Sequence, residues 1–333
     1  MISSSGIRTN LIMMRSVDYS DNNDEACVWT GLFSNDDRFT LQSGFLITGL
    51  LSVLFSSWLS MTILFTNLRY DRSYRNLANF TVVACIRRFV PTFSHLPLVK
   101  YIDTLLGYNT FSCDFFAFLE TFLAVLEVEC LTHVCIERYV VAKYITNGWQ
   151  IQKNHYYLYV CLCVLFSCLY SMPPLFGLGR YGLDFQCTSC TFDMELPDTW
   201  QRYFIITIFI LRSVKPAIVM VVMLIRARVR ERKLPSSMKN QYFTSSVIVI
   251  ALVNILCWTP IALIRGSVVL SYLMYLDQLP TPPVVYIIWA MWIHWVAPAL
   301  SAIALFLLDD RVRGKMFNLF SNNDETKNDE KEE

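Results

Sequence analysis

Several ionisable side chains lie inside stretches of this 333-residue chain that are otherwise apolar: Arg87, Arg88, Glu120, Glu127, Glu129, Arg212 and Lys215. At mid-membrane depth each costs about 2.5–3.5 kcal/mol on insertion scales, so such groups are kept where they pair, line water or serve function. Glu120 and Glu127 are seven residues apart. That is two helical turns, so both carboxylates face the same way, whereas Glu129 points elsewhere. Opposite charges placed like this can tie helices together, and an acid among them can hold a ligand cation. A second constellation is WAMWIHWVAPALSAIALFLLDD at 289–310, with His294, Pro298, three tryptophans and no lysine. No metal-ligand spacing and no nucleophile–base arrangement stands out, so neither a metal nor catalytic residues are expected, and the chain does not read as an enzyme.

The elements that position these groups follow from hydropathy. The chain is 54% hydrophobic and 17% charged, with 23 Phe and 17 Tyr, more apolar surface than a soluble domain can hide. A spanning helix needs about 20 mostly apolar residues. Runs 44–66, 110–134, 156–178, 203–225, 243–265 and 284–308 qualify, and 77–99 qualifies if Arg87 and Arg88 are tolerated within it. The expected fold is therefore an all-α membrane protein, a seven-transmembrane-helix bundle. Arg69, Arg72 and Arg75 follow span one, and Arg226, Arg228, Arg230, Arg232, Lys233 and Lys239 follow span five; the loop 179–201 instead carries Asp184, Asp193, Glu195 and Asp198. Basic loops stay inside, which puts the N-terminus outside and the C-terminus inside. The chain then divides into an extracellular tail (1–43), a seven-helix transmembrane bundle (44–308) and an acidic cytoplasmic tail (309–333) that reads as solvated and disordered. The net charge of +1 points to no nucleic acid.

Seven of the eleven cysteines fall inside spans, where they read as small packing residues. Cys27, Cys113, Cys187 and Cys190 fall on the oxidising side. Cys113 opens span three, and a bridge to Cys190 would pin the long outer loop over the bundle mouth; Cys187 could compete for Cys113 or pair with Cys27. At the inner end of span three, Glu137-Arg138-Tyr139 places an ion pair where the helix meets the cytosol, read as functional rather than as a snorkelling surface pair. In LCWTPIAL of span six, Pro260 removes a backbone hydrogen bond and kinks the helix, with Trp258 as the bulky lever beside it. The sequon Asn79-Phe80-Thr81 falls at the inner end of span two, the wrong compartment for glycosylation.

Taken together, these pieces resemble the rhodopsin-like (class A) G-protein-coupled receptors, and from about 133 to 216 the chain looks like an opsin. ERYVVAKY, QKNHYY, PPLFGLGRYG, FQCTSCTFD and DTWQRYFI stand in opsin order with matching spacing, and CWTP at 257–260 extends the match. The resemblance implies several roles. Cys190, rather than Cys187, is the disulfide partner of Cys113. Asp184 stands where many opsins keep a counterion, and Arg180 with Asp193 matches a pair that braces the outer loop. Glu137, Arg138 and Tyr139 couple to a G protein. Trp258 and Pro260 form the activation hinge.

The departures are as informative. Opsins hold retinal as an imine on a lysine of span seven. Alignment on Pro298 puts Met291 there, alignment on LLDDRVRGKMF puts Trp295 there, and no lysine occurs between Lys239 and Lys315. An imine needs an amine, so covalent retinal on that span is excluded and no cofactor is expected, although noncovalent retinal remains open. The family's asparagine-proline-tyrosine motif is absent, Phe89 is expected where span two usually carries an aspartate, and Leu224 replaces a tyrosine in span five. Glu127 falls where the family lines a small sodium-binding cavity, and is expected to pair with Arg87 or Arg88 instead. Glu129 is expected to meet Arg212 or Lys215.

Glu120 lies where amine receptors grip a ligand cation; it reads either as such an anchor or as a structural partner. With Asp184, Met291, His294 and Trp295 it makes up the expected ligand pocket. The implied function is a multi-pass plasma-membrane receptor that relays an unknown small-molecule ligand to a heterotrimeric G protein. The alternatives are a photoreceptor using noncovalent retinal or an imine on Lys215, and, in another class, a transporter or channel.

Overall fold

Ser34 begins the first helix by chemistry that its sequence announces. Its hydroxyl accepts from the Asp37 amide at 3.1 Å, and the Asp37 carboxylate accepts from the Ser34 amide at 3.1 Å, a reciprocal capping box. The computed structural model describes residues 34–94, 110–145, 152–183, 190–192, 199–235, 241–273 and 283–318. The helices are α1 (Asn35–Phe65), α2 (Arg72–Ser94), α3 (Thr110–Tyr144), α4 (Lys153–Ser171), α5 (Thr199–Phe209), α6 (Lys215–Arg232), α7 (Gln241–Leu273), α8 (Val284–Leu308) and the short α9 (Asp310–Asn318). Between α5 and α6 lies one π-helical turn, Ile210–Val214, with right-handed helical backbone at both joins. The two therefore form one rod, and the described residues make seven.

Four of the described helices are long and apolar enough to cross a membrane by length and composition: Phe39–Phe65, Ile206–Arg232, Phe243–Ser267 and Val284–Leu308. The sequence expectation was six such runs. The difference has a physical source: α3 carries Glu120, Glu127 and Glu129, α2 carries Arg87 and Arg88, and α4 opens on Lys153, Asn154 and His155. Apolar side chains such as Leu54, Ile86, Leu165, Ile225, Leu263 and Leu307 face outward, as lipid-facing positions require.

α3 is the central rod, packed against α2, α4 and α6, while α8 closes the ring against α7 and α1. The largest core cluster runs through the half of the bundle that holds Glu137 and includes Leu59, Leu77, Leu131, Met220, Phe243 and Leu305. A smaller one, Leu41, Phe45, Ile261, Ile287 and Met291 among its members, seals α1, α7 and α8 near the other end. There α1 and α8 approach closely at Gly44, where a Cβ would stand 1.9 Å from the Trp292 indole. At that same end a two-stranded antiparallel hairpin, β1 (Tyr181–Leu183) and β2 (Cys190–Phe192), pairs Tyr181 with Phe192 and Leu183 with Cys190.

Two expectations are corrected. The segment after Asp309 begins as a helix rather than as a disordered tail. Asp309 accepts from the amides of Arg311 and Val312 at 3.0 and 3.2 Å, an N-cap, and Val312 and Met316 of α9 join the core. Phe89 projects out of the bundle with 48% of its surface exposed. Thr81 is a buried polar side chain of α2 that does face α1, and its hydroxyl accepts from Ser60 at 3.0 Å.

Candidate functional site

One guanidinium joins three helices in the middle of the bundle. Arg87 of α2 donates from Nε to Glu120 at 3.0 Å and from Nη1 to Glu127 at 2.7 Å, both on α3, and its Nη2 lies 3.2 Å from Nε2 of His294 on α8. The two-turn spacing of the glutamates lets one side chain reach both. Charge-assisted bonds of this kind are about twice as strong as neutral ones. Arg88, one residue on and turned toward α8, is 1% exposed. It donates from Nη2 to the His294 carbonyl at 3.2 Å and from Nε to the Trp295 carbonyl at 3.3 Å. Pro298 explains why the first is available: having no amide hydrogen, proline leaves the carbonyl four residues earlier without its helical partner. Ser52 of α1 also donates to the Trp295 carbonyl, at 2.8 Å.

This network borders a cavity of about 30 Å³ lined by Arg87, Arg88, Glu127, Asn254, Trp258 and His294, among others, room for a water or two. Of the expected pocket residues, Glu120 and His294 are thus brought together through Arg87. Met291 and Trp295 belong instead to the apolar seam with α1 and α7, where Trp295 meets Phe45 edge-on at 4.8 Å and Arg88 sits 5.3 Å over its ring. Asp184 lies outside the described residues.

Glu129 meets Lys215, at 3.1 Å, and Lys215 also sits 5.0 Å over the Phe166 ring of α4. Arg212 stands in the π turn, a distortion often found at functional sites, within electrostatic reach of Arg87, Glu120 and Tyr181.

At the far end of α3, Glu137 and Arg138 are both buried, and they bond to each other at 2.6 Å. Arg138 also donates to the Ser73 hydroxyl, and the Asn76 amide donates to Glu137. Across the bundle Arg138 meets no carboxylate of α7 among the described residues; its guanidinium lies 4.6 Å over the Phe243 ring. Tyr139 is half-buried on the next face. Tyr74 packs on Phe243 at 4.6 Å and donates to Asp309 at 2.6 Å. In α7, Pro260 lies within the helix, Trp258 lines the cavity, and one turn earlier Asn254 donates to Ser301 of α8 at 2.8 Å.

Sequence reasoning missed the Asn254–Ser301 link and the Ser73, Asn76 and Tyr74 contacts. The signals were a lone asparagine in the apolar run of span six and polar residues at i and i+3 near the start of α2. Asn79 of the sequon exchanges hydrogen bonds with the Tyr156 hydroxyl at 2.9 and 3.0 Å.

The hairpin rests on α3 through Tyr181, Phe192 and Ala117. β2 begins at Cys190 and α3 carries Cys113 in its first turns. The side chains of those two cysteines, with Cys27, Cys187 and Asp193, lie outside what the structure describes.

Residues 92–302 match the family described as 7 transmembrane receptor (rhodopsin family). The chain belongs to that family. Among its curated relatives are "Rhodopsin, GQ-coupled" of Mizuhopecten yessoensis, 26% identical over 52% of this chain and 35% of that protein, and Melanopsin of Homo sapiens, 27% identical over 47% and 32%. The matches span about a third of those relatives' length. Squid rhodopsin shares the fold, with a TM-score of 0.69 at 15% identity over 86% of each chain. The chain is an opsin-like membrane receptor of the class A type, and receptors of this family are not enzymes.

Proposed function

We propose that this receptor relays an outside ligand to a heterotrimeric G protein at the plasma membrane, without retinal bound to α8. In this reading the hairpin end faces outward, with the 1–43 tail, and the Glu137 end and the 309–333 tail face the cytosol. The carrying observation is the absence of an amine on α8: both candidate positions, Met291 and Trp295, are apolar and packed into the seam with α1. Covalent retinal through an imine has no attachment point there. Lys215 supports the photoreceptor alternative poorly, because its ammonium is held by Glu129 and lies against Phe166 of α4. Glu120 is engaged by Arg87, which favours the bracing role over the anchor for a ligand amine. The Cys113–Cys190 bridge belongs to the same reading, and so does replacement of a sodium site by the Arg87–Glu127 pair.

Activation would swing the inner end of α7 about Pro260, draw Phe243 off Arg138 and uncover a cleft for the G protein. The test is nucleotide exchange on a panel of heterotrimeric G proteins by purified receptor and by Glu137→Gln, with and without retinal and light. The expected result is faster exchange by Glu137→Gln, unaffected by retinal or light. Light-dependent exchange, or none by either protein on any heterotrimer, would contradict the proposal.

A further inference from the structure

We propose that the cavity beneath Trp258 is a halide site, taking chloride between α2, α3, α7 and α8. Four observations meet there. Nη1 of Arg88 is buried and makes no hydrogen bond among the described residues. The nearest carboxylate oxygen, Oε2 of Glu127, is 3.8 Å away and already accepts from Arg87 at 2.7 Å. A buried donor left unpaired is costly, and a charged one more so, so this N–H calls for an acceptor. Arg87 and Arg88 line the cavity and Arg212 acts on its His294, against Glu127 in the lining and Glu120 bonded to Arg87. Three guanidiniums against two carboxylates leave an excess of positive charge, so the local field favours an anion over a cation. The volume of about 30 Å³ admits an atomic ion. The Asn254 amide already donates to the Ile250 carbonyl and to Ser301, so α7 borders the ion through Trp258.

The site also has a mechanical consequence. Asn254 and Trp258 belong to α7, whereas Arg88 and Glu127 belong to α2 and α3, so a bound halide bridges the rod that swings to the rods that do not. Occupancy should therefore stabilise the closed bundle.

The experiment is thermal unfolding of the purified receptor in sodium chloride and in sodium gluconate at equal ionic strength. We expect a saturable rise of about 2–4 °C in chloride, reproduced by bromide and lost in Arg88→Gln. Equal midpoints in chloride and gluconate, or a rise undiminished in Arg88→Gln, would overturn the site and show that the cavity holds water. Because Arg88→Gln can fail to fold, the second arm uses bromide quenching of the indole, read as the difference between wild type and Trp258→Phe. Saturable quenching that chloride displaces and gluconate does not supports the site. Quenching that rises linearly with bromide, indifferent to chloride, overturns it. Neither arm depends on the ligand or on G-protein coupling.

Discussion

The two charged centres of this bundle are built differently. At mid-bundle, Arg87 spends all three of its nitrogens on partners from other helices, two glutamates of α3 and the histidine of α8. At the Glu137 end, Arg138 pairs with its own neighbour and reaches α2 through Ser73, while its contact with α7 is an aromatic face. The first arrangement fixes α2, α3 and α8 against one another. The second keeps a cation buried yet joins α3 to α7 by a contact worth only about 1 kcal/mol, beside the Tyr74–Phe243 packing and the Thr244–Glu231 hydrogen bond. Stiffness in the middle and a weak joint at one end suit the proposed swing of α7 about Pro260.

The largest break in that comparison comes from Glu127→Leu. It leaves buried arginines without their shared carboxylate and should cost about 3–5 kcal/mol, read as lost surface expression. Combining Glu127→Arg with Arg87→Glu should recover part of it. Full expression of Glu127→Leu, or a swap that restores none, would count against the mid-bundle pairing.

Gly44→Ala comes next. Its new methyl would collide with the Trp292 indole, an overpacking of about 1–3 kcal/mol that should lower the melting midpoint and be relieved by Trp292→Leu. An unchanged midpoint would mean that α1 and α8 are not held so closely.

At the weaker centre, Phe243→Leu keeps an apolar side chain but removes the ring from Arg138. Loss of about 1 kcal/mol should raise basal nucleotide exchange roughly fivefold with little change in expression. A basal rate equal to wild type would show that Phe243 is no seal. Asn254→Ala, which removes one hydrogen bond to Ser301, should have the smallest effect, about 1 kcal/mol in thermal stability.

Much of the fold is legible in the sequence because hydropathy and loop charge act locally. The described rods, with Pro260 inside one of them, and the shared face of Glu120 and Glu127 follow from composition and helical period. What could not be read depends on how the rods are rotated against each other. Phe89 and Thr81 are eight residues apart on α2, and only the packing of α1 shows that Thr81 faces inward while Phe89 faces out. In the same way, the choice between Arg87 and Arg88 as close partner of Glu127 turns on a single step around α2. Arg88 finds its role in backbone carbonyls of α8; Pro298 announces the freed His294 carbonyl but not which side chain of another helix reaches it. Met291 and Trp295 were placed by alignment on α8, but the close approach at Gly44 carries both into the seam with α1. Helix α9 was hidden because its charges read as solvated, whereas its two buried apolar positions need the end of α1 to be recognised.

That this receptor holds no retinal covalently is tested most directly by incubating purified wild type and Lys215→Ala with retinal. Absorbance is recorded, any imine is then reduced with borohydride, and retinyl adducts are mapped by mass spectrometry. We expect no visible band and no adduct in either protein. A visible band accompanied by a retinyl-modified residue within the bundle would contradict it.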